Sequence, residues 1–202
     1  MSQAPYSRGK IRKLTIAAML TAITWLMALT PYFGFTLPFF GVGMTFVHIP
    51  LIIGLLSEGL SIGTVLGGMF GLTSLFNALT RPTSIYSYMF QNPLVSVLPR
   101  LLIAPVLYVV RKAAEALFPK KRKLRYVIVA AFGALTNTVL TLTALTLAHM
   151  LSPIDPAAVG MAQSPATSVA AIWALAANVP FEIASAVIIT VPVMAALDKI
   201  NK

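Results

Sequence analysis

Arg100 and Glu182 are ionisable side chains set within long apolar stretches, and that placement constrains what they can do. At helical rise Arg100 lies roughly 10 Å inside its stretch, and Glu182 lies at comparable depth in another. A charge at the centre of a bilayer is disfavoured by about 3 kcal/mol on insertion scales. Arg100 should therefore face the interior of a bundle and meet a carboxylate, a backbone carbonyl or an anionic ligand. Two readings stay open. One is a structural Arg100–Glu182 pair; in the other, Arg100 offers its planar fork to a substrate carboxylate while Glu182 positions it or binds a hydroxyl. Both can hold at once.

Side-chain amides collect at similar depths: Gln91 and Asn92 where one apolar stretch begins, Asn137 in the next, and Asn178 close to Glu182. Amides suit hydroxyl and amide ligands, although a single one is also common as glue between membrane helices. Their concentration in one half of the molecule favours a binding site. His48, beside Pro50, suits either an interior hydrogen bond or a ligand contact. Pro180 sits between Asn178 and Glu182, where removal of an amide donor frees a carbonyl toward a pocket; Pro50, Pro105 and Pro192 read as simple kinks. No metal or cofactor is expected, because His48 and His149 lack carboxylate or thiol companions at ligand spacing and cysteine is absent. Intramembrane enzyme chemistry is disfavoured on the same grounds: there is no cysteine, no serine and histidine at matching depth, and no paired acids.

The elements that hold these groups follow from hydropathy. The chain is 58% hydrophobic and 10% charged, well apart from the near-half and quarter of a soluble domain. Six apolar segments divide it: Leu14 to about Pro31, Val42 to Ser57, Leu60 to Leu79, Leu94 to Val110, Tyr126 to Leu151, and Val169 to about Leu197. The expected fold is all-α, a single integral membrane domain of six transmembrane helices over residues 1–202. The second segment covers only roughly 24 Å against a core of about 30 Å. In the third, Gly63, Gly67, Gly68 and Gly71 provide a small-residue face for close helix contact. The basic start before the first span is expected to stay attached, since the apolar run is too long for a signal peptide and no small-residue cleavage site follows it.

Charge fixes the expected direction. Arg8, Lys10, Arg12 and Lys13 precede the first span, and seven basic residues crowd Arg111 to Arg125. Placing both groups inside requires an even number of crossings between them, so the short second segment should cross and both termini should be cytoplasmic. The net charge of +10 then has a topological explanation, and nucleic acid is excluded as a partner.

Several of these features together carry a resemblance. The basic start Arg12-Lys13-Leu14-Thr15 leads into a helix with Ala18 and Ala22 four apart. His48-Ile49-Pro50 precedes a glycine-rich span ending Gly71-Leu72-Thr73-Ser74-Leu75, followed by Asn92-Pro93-Leu94 and Leu98-Pro99-Arg100. With six short spans, the chain resembles the substrate-binding S components of energy-coupling-factor (ECF) vitamin transporters over nearly its whole length, and most resembles the pantothenate type. The resemblance implies high-affinity capture of a vitamin from outside, no ATP hydrolysis by this chain, and a module of one transmembrane coupling protein and two ABC ATPases. Docking on that module would use Ala18 and Ala22, and the family's proposed mechanism is a rigid-body toppling in the bilayer. Pantothenate carries one carboxylate, two hydroxyls and an amide, suited to Arg100 and the asparagines. Another vitamin, such as cobalamin or folate, is an alternative cargo. A membrane scaffold of the MreD type is the alternative from a different class, and it needs no polar pocket.

Overall fold

A computed structural model describes residues 8–30, 45–160 and 168–200. The described residues are helical, with short connections. In chain order the helices are α1 (Arg8–Leu29), α2 (His48–Glu58), α3 (Leu60–Thr80), α4 (Ile85–Met89), α5 (Pro93–Ser96), α6 (Leu98–Leu117), α7 (Arg122–Leu151), α8 (Val169–Ala174) and α9 (Val179–Ile200). A 3-10 turn, Leu175–Asn178, joins α8 to α9.

The shortest of the apolar segments lies at the middle. Every residue of α2 from His48 to Leu56 is buried, because the helix is hydrophobic on all sides and neighbours cover every face. α1, α3, α6, α7 and α9 form an arc in that order, each packed on the next, and α2 touches all five. Five apolar helical segments are long enough to cross a bilayer: Gly9–Leu29, Leu60–Thr80, Pro93–Leu117, Arg122–Leu151 and Val169–Ile200. With the shorter α2 they form an all-α, multi-pass membrane bundle. The exposed faces are apolar, carrying Leu72, Phe76, Leu102, Val109, Phe132, Val139 and Ile188, as surfaces against lipid tails require.

Boundaries differ from the hydropathy reading in ways with physical causes. The second segment was placed from Val42, but the helix begins at His48, and residues 42–44 lie outside the described set. Its 11 residues span about 16 Å at helical rise. The fourth segment is broken at Val97 into α5 and α6, with Pro93 and Pro99 each in a first turn where no amide donor is needed. The sixth is broken at the 3-10 turn, and Pro180 is the second residue of α9. Elsewhere the helices outrun their apolar cores, so that α1, α6 and α7 carry basic residues at the same end of the bundle.

Close packing positions the site. Gly59 alone links α2 to α3, at φ 90°, a left-handed conformation in which a side chain would be strained. The hairpin so formed presents Gly67 and Gly71 to the α5–α6 backbone: a Cβ at Gly67 would lie 2.5 Å from the Arg100 carbonyl oxygen, and one at Gly71 would lie 2.7 Å from Val97 Cα. The small-residue face read from sequence is therefore a helix-contact face, and it fixes where α6 starts. Asn77 Nδ2 donates to the Ala28 carbonyl at 2.8 Å, tying α1 to α3. Gly67→Ala should push α6 away from α3 and destabilise the protein by about 1 to 3 kcal/mol, the usual range for overpacking. Thermal unfolding of the purified variant in detergent checks this; an unchanged midpoint would mean the two backbones are not in contact.

Candidate functional site

Both helix breaks lie at the same level of the bundle. Arg100 is the third residue of α6, just past the break at Val97, and Glu182 is the fourth of α9, just past the 3-10 turn. Broken membrane helices tolerate irregular backbone where it lines a cavity, and here they bring both ionisable groups to one. The cavity has a volume of about 140 Å³ and is lined by Arg100, Asn137, Thr138, Thr141, Glu182 and Thr45, with Phe90, Leu142, Leu145 and Leu175 supplying apolar wall. An outer apolar cluster of Met89, Val95, Leu142, Leu145 and Ile172 packs beside it.

Arg100 is 4% exposed. Its Nη1 donates to the Val95 carbonyl at 3.0 Å, an acceptor left without its helical donor because the residue four along is Pro99. Phe90 and Phe70 flank the guanidinium with ring centroids 4.9 and 5.4 Å from Cζ, favourable cation–π contacts that replace part of the lost hydration. Nε has no hydrogen-bond partner, and among the described residues no carboxylate forms an ion pair with this side chain. The structural Arg100–Glu182 pair, one of the two sequence readings, is thus not formed.

Glu182 is held separately. Its Oε2 accepts from Thr138 Oγ1 at 2.7 Å, and its Oε1 accepts from the Thr45 backbone N–H at 3.3 Å, just ahead of α2. The Thr138 hydroxyl also lies 3.2 Å from the Ala134 carbonyl. A hydroxyl carries one proton, and the shorter, charge-assisted contact goes to Glu182. Further along this wall, Asn137 Oδ1 and Thr141 Oγ1 are buried without partners, acceptor positions open to a ligand's hydroxyl or amide hydrogens.

Of the residues singled out in the sequence, Arg100, Asn137 and Glu182 converge on the cavity, and four do not line it. Asn92 is an exposed helix cap whose side chain accepts from the Leu94 N–H at 2.9 Å, and Gln91 donates to the Ala78 carbonyl at 3.1 Å. Both brace the connection that carries Phe90. His48 is fully buried at the start of α2, and Asn178 is buried at the end of the 3-10 turn. Thr45, Thr138, Thr141 and Phe90 were missed; the only signal was that Thr141 stands four residues after Asn137 and so shares its helix face. Ala18 and Ala22 are exposed on α1, on the side away from buried Ala17, Thr24 and Ala28 and beside exposed Leu14, Met19 and Leu26. Among the described residues no group of three or more His, Cys, Asp or Glu side chains could hold a metal ion.

A family model for the ECF transporter, substrate-specific component, matches residues 12–196. The chain belongs to this family. Among curated relatives, this S component is 32% identical over 105 residues to the pantothenate transporter PanT of Leuconostoc mesenteroides subsp. mesenteroides, covering 50% of this chain and 51% of that protein. It is 30% identical over 151 residues to the pantothenic acid transporter PanT of Lactococcus lactis subsp. cremoris, covering 68% of this chain and 74% of that one. The match thus spans about half the length of the first relative and about three quarters of the second. The family is that of a transporter's substrate-binding subunit, which accords with a polar cavity enclosed in a membrane bundle.

Proposed function

We propose that this S component captures pantothenate in the cavity between α6, α7 and α9 and carries it across the membrane as the binding subunit of an ECF transporter. The observation that carries the reading is Arg100: a buried guanidinium beside a cavity, whose Nε makes no hydrogen bond and which pairs with no carboxylate, is suited to receive an anion. The carboxylate of the ligand is assigned to Arg100, and its hydroxyls and amide to Glu182, Thr138, Asn137 and Thr141. The names of the two relatives point to the same cargo. A scaffold of the MreD type has no use for a cavity with unpartnered polar atoms.

The basic end, with the start of α1 and the α6–α7 connection, is assigned to the cytoplasm and the cavity to the outer half, by the positive-inside rule. A coupling protein and two ABC ATPases complete the transporter and hydrolyse the ATP. The exposed Ala18–Ala22 face of α1 is assigned as the docking surface, where small side chains allow another helix to approach closely. Toppling of the S component in the bilayer is the proposed transport step, and the apolar outer faces are compatible with it.

Three measurements check this reading. Arg100→Ala should weaken pantothenate binding by about a hundredfold or more while helical content is retained, as expected for a charge-assisted contact; calorimetry showing wild-type affinity would remove Arg100 from the site. Replacing Ala18 and Ala22 together by tryptophan should block uptake of labelled pantothenate into cells and leave binding by the purified protein unchanged, and normal uptake would refute the docking assignment. The chain has no cysteine of its own, so Lys121→Cys provides a single label site. It should resist an impermeant maleimide on intact cells and react after permeabilisation; labelling of intact cells would reverse the orientation.

A further inference from the structure

A second cavity, of about 230 Å³, lies at the opposite end of the bundle among α2, α6, α7 and α9. Arg111, Arg122 and Arg125 line it, with Ser57, Glu115 and Asp198. From Arg100 to Arg111 is about 16 Å along α6, so the two cavities are separate, with the buried core around α2 between them.

The hydrogen bonds at this second cavity leave donors over. Arg111 gives Nε to Glu115 at 2.9 Å and Nη1 to the Leu55 carbonyl at 2.8 Å. Arg122 gives Nε to the Tyr126 hydroxyl at 2.7 Å and Nη2 to Asp198 at 2.6 Å, and Tyr126 donates to the same carboxylate. Glu115 is also held by Lys112 at 3.5 Å. Both carboxylates are therefore already matched by cations or donors. Among the described residues Arg111 Nη2 and Arg122 Nη1 make no bond, and Arg125 makes no side-chain hydrogen bond or ion pair although it is partly buried against the cavity. Three guanidinium groups lining one cavity, with N–H groups left over, match an anion with several acceptor oxygens better than a single carboxylate.

The position narrows the source. The cavity stands where the apolar faces end and basic residues begin, which is headgroup level for a bundle in a bilayer. We propose that this cavity is a phosphate-binding site, formed by Arg125 with the free Nη groups of Arg111 and Arg122, whose occupant is the headgroup of an anionic phospholipid or free phosphate. The site is independent of the vitamin cavity, and its occupancy would anchor the α6–α7–α9 end at the membrane surface.

The test uses the full chain, delipidated in neutral detergent, beside Arg125→Gln, which disturbs no hydrogen bond described above. Native mass spectrometry follows titration with phosphatidylglycerol and, separately, phosphatidylcholine; calorimetry follows inorganic phosphate. The expected result is a preference for phosphatidylglycerol over phosphatidylcholine that falls about fivefold in Arg125→Gln, the effect of one basic group at a membrane surface. Saturable binding of inorganic phosphate, lost in the variant and without lipid preference, supports the site with a free anion as occupant. Binding of neither probe, or equal binding by wild type and Arg125→Gln, overturns the proposal. Circular dichroism verifies that the variant is folded, and Arg125→Lys, which keeps the charge, should retain part of the affinity.

Discussion

Hydrocarbon offers no hydrogen bonds, and this one constraint organises the molecule. A polar group at membrane depth is costly unless it finds a partner inside the bundle or faces a cavity. The interior is built around α2, whose polar residues His48, Ser57 and Glu58 stand at its two ends, while Arg100 and Glu182 lie near the start of α6 and of α9. At the first break the Val95 carbonyl meets Arg100, and the second places Glu182 at the Thr138 hydroxyl. The irregular backbone and the deep charges belong together.

The same constraint separates the two ends by chemistry. At the basic end, three of the five acids, Glu58, Glu115 and Asp198, are each paired with arginine, and two of the pairs link neighbouring elements: Arg12 to Glu58 joins α1 to α2, and Arg122 to Asp198 joins α7 to α9. At the other end Arg100 and Glu182 line one cavity yet do not pair. Exposed pairs contribute little stability, so the set at the basic end is better read as register pins than as a major source of folding energy. Arg100 and Glu182 are kept apart, each with its own partners.

Much of this was legible in the sequence, for reasons that can be stated. An ionisable residue in an apolar run is conspicuous, so Arg100 and Glu182 could be read directly, and an asparagine at membrane depth nearly so. Thr138 and Thr141 could not. A threonine can bond its own helix backbone, as Thr143 and Thr146 do, and nothing in composition distinguishes one that turns its hydroxyl to a neighbouring carboxylate. The breaks at Val97 and at Leu175–Asn178 were hidden because the hydropathy continues across them without glycine. His48 looked like a site residue because it is polar beside a proline, yet its place at the head of a fully enclosed helix keeps it off the cavity wall. The short second segment was recognisable as exceptional, but not as the centre of the bundle, because periodicity gives the faces of a helix and not the number of its neighbours.

The Gly59 joint has a kinematic consequence. With one residue between them, α2 and α3 have no slack to slide past each other, so the partition beneath the cavity is mechanically continuous with α3 and, through Gly67, with the backbone of Arg100. The α7–α9 side is fastened at that end by side chains, Arg122 and Tyr126 on Asp198, which can part and re-form without any peptide changing conformation. The α2–α3 hairpin is thus one stiff unit that holds the partition and the start of α6 in a single frame.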